Sequence, residues 1–323
     1  MKYPFVSVAV VAYNSEKYIE ECLQSLNDLN YPKNKYEILL IDGGSSDKTA
    51  QIARKFKKVK VFNNPKRIIS AGRNIAIEKS KGEYLAFTDS DCKADKNWLR
   101  ELVKEILSSD DDIAGVGGPN LIFDNDPKFA RIVGYMQETF FGSGGSPTSY
   151  RFKEKKKFPS VGNANLLLKK DLIKNYLYDE ELNVGEDCDF TFRLNKKGFS
   201  FIYSPSVIVW HHRRNSLKSF IKNMFLYGEA QAKILKKHKT LARKYSVLPS
   251  IMVLALLISP FLIYYTSLFF YLYLVLGEIY FILLLISSFY VINKEGISGI
   301  LTLVLLPIQH LSYGFGFYWG LLT

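Results

Sequence analysis

The sequence predicts an α/β unit built on a mostly parallel sheet, followed by a hydrophobic helical tail. Two observations carry this. Short β-rich apolar runs alternate with helical periods over the first part of the chain, the pattern of strands joined by helical crossovers. Nearly all the charge lies in residues 1–245, whereas residues 246–323 carry only Glu278, Lys294, Glu295 and His310.

The elements follow in order. Val6 to Val11 is a buried strand. Ser15 to Leu29 has apolar residues at Tyr18, Ile19, Cys22, Leu23 and Leu26, a helical period with Ser15 as N-cap. Tyr36 to Ile41 is a strand that Gly43-Gly44-Ser45-Ser46-Asp47 turns into a helix. Lys58 to Phe62 is a strand, Ser70 to Lys79 a helix, Glu83 to Phe87 a strand and Lys96 to Leu107 a helix. From Gly142 to Lys157 the composition is that of a glycine-rich, then basic, loop. Strand character returns at Gly162 to Leu168. A helix opens at Gly185-Glu186-Asp187 and is ended by Gly198, and Phe201 to Trp210 is a strand around Pro205.

Ser216 to Lys244 reads as a basic amphipathic helix. Leu217, Phe220, Ile221, Met224 and Phe225 form its apolar stripe, and lysines lie opposite. Such a helix beside a hydrophobic segment suits an anionic membrane interface. Val247 to Ile292 is too long for one span of about 20 residues. It divides into 247–265 and 268–291, and a third candidate covers 297–322. The expected organisation is therefore an α/β domain at 1–215, an interfacial helix at 216–245 and a transmembrane region at 246–323.

Lys233, Lys236, Lys237, Lys239, Arg243 and Lys244 precede the first span, whereas Lys294 is the only basic residue among the later loops. By the positive-inside rule this predicts a multi-pass protein of the cell membrane with its N-terminal domain in the cytoplasm. Three crossings would put the C-terminus outside, and a re-entrant third segment would return it. Glu278 at mid-span is expected to face another helix.

The formal net charge of +12 invites a nucleic-acid reading, but the basic residues cluster where a membrane surface would want them, so no nucleic-acid partner is expected. Cys22, Cys92 and Cys188 have no CxxC spacing and read as reduced cytosolic thiols. No apolar core of signal-peptide length precedes the first charged segment.

Asp89-Ser90-Asp91 follows the strand ending at Thr88. On the turn after a strand, two carboxylates one residue apart can converge on Mg²⁺ or Mn²⁺ carrying substrate phosphates. Alone the pair is a weak signal, since most such pairs are solvated turns. Its context is specific. Val6 to Asn14, then Glu37 to Thr49 with Asp42, then Ala71-Gly72-Arg73-Asn74, then Lys81 to Asp91 occur in order. Together they resemble the family 2 glycosyltransferases with the GT-A fold, over roughly residues 5–215.

The resemblance implies the following roles. Ala12, Tyr13, Ser15 and Asp42 cradle the base and ribose of a UDP- or GDP-sugar, and Asp89 joins them at the donor. The family often carries Pro where Val11 stands and Glu where Ser15 stands. Asp89 and Asp91 hold the cation, with either His211 or His212 adding a ligand; alternation along Val207, Val209 and His211 favours His211. Gly185-Glu186-Asp187 matches the family's E-D motif, which makes Asp187 the general base and gives Glu186 a supporting role on the acceptor side. Asn163 and Asn165 are placed near the acceptor sugar. Arg73 is open to either a phosphate contact or a salt bridge between helices.

The wider resemblance is to membrane-bound members that build exopolysaccharide or surface glycans. No Q-x-x-R-W motif follows the E-D segment, which favours single-sugar addition. The implied activity is metal-dependent, inverting, hexosyl-type transfer from a nucleotide-diphosphate sugar to a lipid-linked saccharide at the cytosolic membrane face. A polyprenyl-phosphate sugar synthase and a noncatalytic membrane scaffold are the alternatives.

Overall fold

Val6 to Val10 are all buried in the first strand, β1 (Val6–Ala12), the pattern of a strand covered on both faces. The computed structural model describes residues 2–240 and 244–323. After β1 come α1 (Ile19–Asn27), β2 (Tyr36–Asp42), α2 (Thr49–Ala53), β3 (Val59–Asn63), α3 (Ile69–Lys79) and β4 (Tyr84–Asp89). These strands pair in parallel in the order β3-β2-β1-β4. Period-2 alternation sorts their side chains into two cores. Val8, Val10, Ile38 and Leu40 pack with Leu23 and Leu26 of α1. Ala9, Leu39 and Ile41 pack with Ala76 and Ile77 of α3.

The chain continues through β5 (Cys92–Ala94), α4 (Trp98–Leu107), β6 (Ile113–Gly117), β7 (Asn120–Leu121), α5 (Lys128–Glu138) and α6 (Phe140–Ser143). Next are β8 (Lys156–Phe158), β9 (Asn165–Lys169), α7 (Lys170–Ile173), α8 (Glu186–Asn195), β10 (Ser200–Tyr203) and β11 (Val209–His211). The main sheet has the order β3-β2-β1-β4-β9-β6-β10-β8. Because β9 runs antiparallel to both β4 and β6, the sheet is mixed, and its parallel part is concentrated in the first half. The single strand expected over 201–210 is interrupted at Pro205, which has no N–H to give a ladder. Its second part, β11, joins a separate sheet of order β5-β11-β7. The Ser15 side chain does not cap α1, which starts at Ile19 with Tyr18 as N-cap.

Two compact units result: Met1–Phe123 with Pro147–His212, and Asp124–Ser146 with Arg213–Thr323. Residues 124–146, within the 1–215 segment of the sequence reading, thus cluster with the C-terminal helices. That second unit also holds α9 (Leu217–His238), α10 (Leu248–Tyr265), α11 (Ser267–Glu295) and α12 (Thr302–Leu322), with 3-10 turns at Lys244–Val247 and Gly296–Leu301. The part of the expected amphipathic helix at 241–243, with Arg243, lies outside the described residues. Ile132, Val133 and Met136 of α5 share a core with Phe220 and Met224 of α9, Leu284 and Val291 of α11, and Leu305 and Leu306 of α12.

Tyr245–Tyr265 and Ser267–Leu322 are long and apolar enough to cross a membrane, each with a hydropathy of 2.3. Glu278 is exposed, not packed on another helix as expected. His310 is buried, with Nδ1 2.9 Å from the Tyr280 hydroxyl and Nε2 3.2 Å from the Phe141 carbonyl oxygen.

Candidate active site

The register of the parallel strands sets the site. Ala12 lies beside Asp42, and Val11 beside Asp89, so β1, β2 and β4 end together. Ligands of open α/β sheets bind at such C-terminal strand ends. The loops that follow β1 and β2 are stitched reciprocally. The Asn14 amide donates to Ser45 Oγ at 2.9 Å, and the Ser46 amide donates to Asn14 Oδ1 at 2.9 Å. The Glu16 amide donates to Asp47 at 3.0 Å, and the Lys48 amide to Glu16 at 3.0 Å. The Asp42 carboxylate turns into its own loop, accepting from Ser45 Oγ at 2.6 Å and the Ser45 amide at 3.2 Å. Tyr13 is 57% exposed, and its side chain lies against Gly43. Ser15 is fixed on two sides: its amide donates to Thr49 Oγ1 at 2.7 Å, and its hydroxyl meets Ser90 Oγ at 2.8 Å. That second bond ties the β1 loop to the middle residue of Asp89-Ser90-Asp91.

Strand pairing delivers the imidazole. β11 runs antiparallel to β5 with His211 opposite Cys92, and the His212 amide donates to the Asp91 carbonyl at 3.1 Å. His211 Nε2 consequently lies 3.2 Å from Asp91 Oδ1. One ligand atom from each of Asp89, Asp91, Cys92 and His211 lies within 4.8 Å of the others. His212 points elsewhere, stacked on Phe123 at 3.9 Å between centroids with Tyr18 at 4.5 Å.

On the far side of Asp89 sits Arg73, 4% exposed. Its Nη1 pairs with Glu186, which is equally buried, and its Nη2 lies 3.8 Å from Asp89 Oδ1. The Asn163 amide satisfies its surroundings when its oxygen faces Arg73, accepting from Nη1 at 3.0 Å, Nε at 3.2 Å and the Tyr178 hydroxyl at 2.8 Å. Tyr178 carries the guanidinium over its ring at 5.6 Å and stacks on Phe190. Burial opposes the Arg73 charge, yet Glu186, Tyr178 and Asp89 together hold its pKa above the usual range. Burial acts the other way on Glu186 and, against the pull of Arg73, pushes its carboxyl up to about 7.

Asp187 is the next residue of α8 and is only partly buried. Its Oδ1 accepts from the Cys188 amide at 2.7 Å, while Oδ2 lies 3.5 Å from where a Cβ on Gly162 would stand. The Thr148 methyl fills the place a Gly162 side chain would take, 2.5 Å from that Cβ position.

Residues 7–177 match the model of glycosyl transferase family 2. The chain belongs to this family. It is 30% identical over 245 residues to the Methanococcus voltae dolichyl N-acetyl-alpha-D-glucosaminyl phosphate 3-beta-D-2,3-diacetamido-2,3-dideoxy-beta-D-glucuronosyltransferase, covering 72% of this chain and 74% of that protein. It is 30% identical over 240 residues to the glycosyltransferase AglE of Haloferax volcanii, with the same coverage. Among solved structures, the mannosyltransferase PcManGT from Pyrobaculum calidifontis, in complex with GDP-Man and Mn²⁺, has a similar fold, with a TM-score of 0.55 at 17% identity. That match covers 73% of this chain and 64% of the mannosyltransferase chain, under two thirds of its length.

This glycosyltransferase thus has a GT-A-like mixed sheet whose acidic corner has the donor chemistry of a divalent-cation site. Two carboxylates and an imidazole are oxygen and nitrogen ligands that suit Mg²⁺ or Mn²⁺. Burial, reinforced by Asp89 and Asp91, raises the Cys92 thiol well above its ordinary value. Desolvation also raises the Asp89 carboxyl, with Asp91 adding to it against Arg73 and His211. Among the expected residues, Asn165 turns its amide into the fold. Its Oδ1 accepts from Trp98 Nε1 at 2.8 Å, and its Nδ2 donates to the carbonyls of Val207 at 2.9 Å and Pro119 at 3.1 Å. The amide is thus engaged within the fold, on Trp98 and on two backbone carbonyls. Ser90 and Tyr178 were missed by sequence reasoning. Ser90 lay inside a quoted motif, whereas nothing local marked Tyr178.

Proposed function

We propose that the enzyme transfers a single sugar, with inversion, from a UDP- or GDP-sugar to a lipid-linked saccharide at the cytosolic membrane face, with Mg²⁺ or Mn²⁺. The observation that carries this is the convergence of Asp89, Asp91 and His211 in the same unit as the partly buried carboxylate of Asp187, the neighbour of the Glu186 that Arg73 links to Asp89. Ala12, Tyr13, Ser15 and Asp42 form the wall for the nucleotide, with the exposed Tyr13 ring free to lie against a base. The cation, held by Asp89, Asp91 and His211, would neutralise charge on the departing diphosphate.

Asp187 takes the proton of the acceptor hydroxyl as it attacks the anomeric carbon, a role open to a carboxylate within hydrogen-bond reach. Glu186 and Asn163 act through Arg73, which they hold beside Asp89. A lipid-linked acceptor is supported by the dolichyl-linked substrate in the name of the Methanococcus voltae relative and by the two apolar stretches that could enter a membrane.

The test is turnover of a nucleotide-sugar panel with membrane lipid extract and Mn²⁺ or Mg²⁺, followed by mass analysis of the lipid product. The expected result is one added sugar on a saccharide-bearing lipid, lost on chelation. A product consisting of polyprenyl phosphate plus one sugar would move the assignment to the synthase, and transfer that survives full chelation would remove the cation.

A further inference from the structure

The apolar stretch Ser267–Leu322 contains two long helices, and length alone would let both cross: at about 1.5 Å per residue, α11 measures about 44 Å and α12 about 32 Å, against a hydrocarbon core of about 30 Å. The contacts of the two helices differ. The far end of α11 is tied to α5. Glu295 receives Arg131 Nε at 2.9 Å and Nη2 at 2.8 Å, and the Tyr290 hydroxyl donates to Glu138 at 2.8 Å. The segment carrying α5 is continuous in the chain with β7 before it and β8 after it, so both its ends run into strands of the charge-rich unit that lies outside the apolar stretches. An 11-residue helix is also too short to span. The Glu295 end of α11 therefore lies on the water side from which residues 124–146 enter and leave, and α10 and α11 form a two-crossing hairpin.

α12 starts from that same side and stays there. Its second half packs along α9 with the helices running in the same direction. A Cβ on Gly228 would strike the Tyr313 carbonyl, one on Gly316 the Phe225 carbonyl, and one on Gly320 the Glu229 carbonyl at 2.5 Å. Lys236 Nζ donates to the Leu321 carbonyl at 3.3 Å. Backbones meet this closely only through small residues. α9 carries Lys218, Lys222, Lys236 and Lys237 exposed and cannot cross a bilayer at an acceptable cost.

A second set of contacts agrees. The Tyr318 hydroxyl donates to the Ser250 carbonyl at 2.7 Å, and a Cβ on Gly314 would meet Val253 at 2.5 Å and the Pro249 carbonyl at 2.7 Å. These residues form the first turns of α10. A third span beside α10 would instead carry its last turns toward Tyr265. Trp319 at 53% exposed, Phe315 at 49% and Val304 at 57% remain open on α12, an apolar face with an aromatic suited to the membrane interface.

We infer that α12 is not a membrane span but lies with α9 as a platform in the lipid leaflet on the catalytic side, so that only α10 and α11 cross and the end of α12 returns to that side. Single cysteines test this in intact and in permeabilised cells with a membrane-impermeant maleimide, using the full chain, whose native cysteines are all buried, as the blank. The variants are Lys57→Cys for the catalytic unit, Tyr265→Cys for the hairpin turn, Lys294→Cys for the end of α11, and Thr323→Cys with Leu322→Cys as its duplicate. The inference expects Lys57, Lys294 and the α12 positions to label from one side and Tyr265 alone from the other. Labelling of the α12 positions together with Tyr265 overturns it, and so does labelling of all positions from a single side.

Discussion

Glu186 and Asp187 are adjacent at the start of α8, yet they belong to regions of opposite electrostatic character. Around Glu186 every charge is closed off: Arg73 is paired to it, Asn163 and Tyr178 occupy the remaining guanidinium faces, and all are buried. Around Asp187 and across at Asp89, Asp91 and His211, acidic oxygens remain partly exposed, the side chains of Asp89 and Asp91 at 33% and 22%. A buried charge persists only when it is paired and hydrogen-bonded. A carboxylate meant to receive a proton or a cation has to keep an oxygen uncommitted. The closed region holds the open one in place, because Arg73 touches both Glu186 and Asp89.

That division is easiest to break at Asp187. Asp187→Asn should lower transfer by about 10²–10⁴-fold with donor affinity unchanged, as read by product formation beside calorimetric binding of the nucleotide. A parallel fall in donor affinity would mean that the two regions are one. Glu186→Ala leaves Arg73 charged and buried without its partner, and removing one member of such a pair costs about 3–5 kcal/mol. Thermal unfolding in detergent should show the loss, and an unchanged midpoint would place Arg73 in contact with water.

A milder probe lies outside both regions. Asn165→Ala strands the Trp98 indole N–H and two carbonyls, a cost of about 1–3 kcal/mol for an unsatisfied buried group, with KM for the acceptor unaltered. An acceptor KM that rises without loss of stability would return Asn165 to the acceptor site. A further expected effect is a slope with pH. Because burial raises the Glu186 carboxyl to about 7, the folded state holds a proton that the unfolded chain has released. Its contribution is then full below about 4.5 and is lost as pH rises through about 7. Wild type should lose stability over that interval relative to Glu186→Gln, as measured by denaturant titration at several pH values.

Much of this was legible in the chain. The first four strands and the carboxylates at their ends follow from apolar runs that stop at Asp42 and Asp89, since strand ends in such sheets are where polar residues gather. Alternation along β11 placed His211 toward Asp91, and the pairing of β11 with β5 is the physical reason. Pair geometry across the fold was not legible. Asn165 looked like Asn163, two residues away, but Asn163 lies in the turn before β9 and Asn165 is the first residue of that strand, so one meets Arg73 and the other Trp98. Residues 124–146 also misled, because an apolar face at Ile132, Val133 and Met136 shows that something covers it, but not that the cover is the C-terminal helices.

The central claim, that the acidic corner binds the cation and nucleotide while Asp187 performs the chemistry, is tested most directly by calorimetric titration of UDP and GDP with Mn²⁺ into wild type, Asp91→Asn and Asp187→Asn. The account predicts Mn²⁺-dependent binding that Asp187→Asn retains and Asp91→Asn loses. Equal binding by all three proteins, or wild-type binding indifferent to chelation, would contradict it.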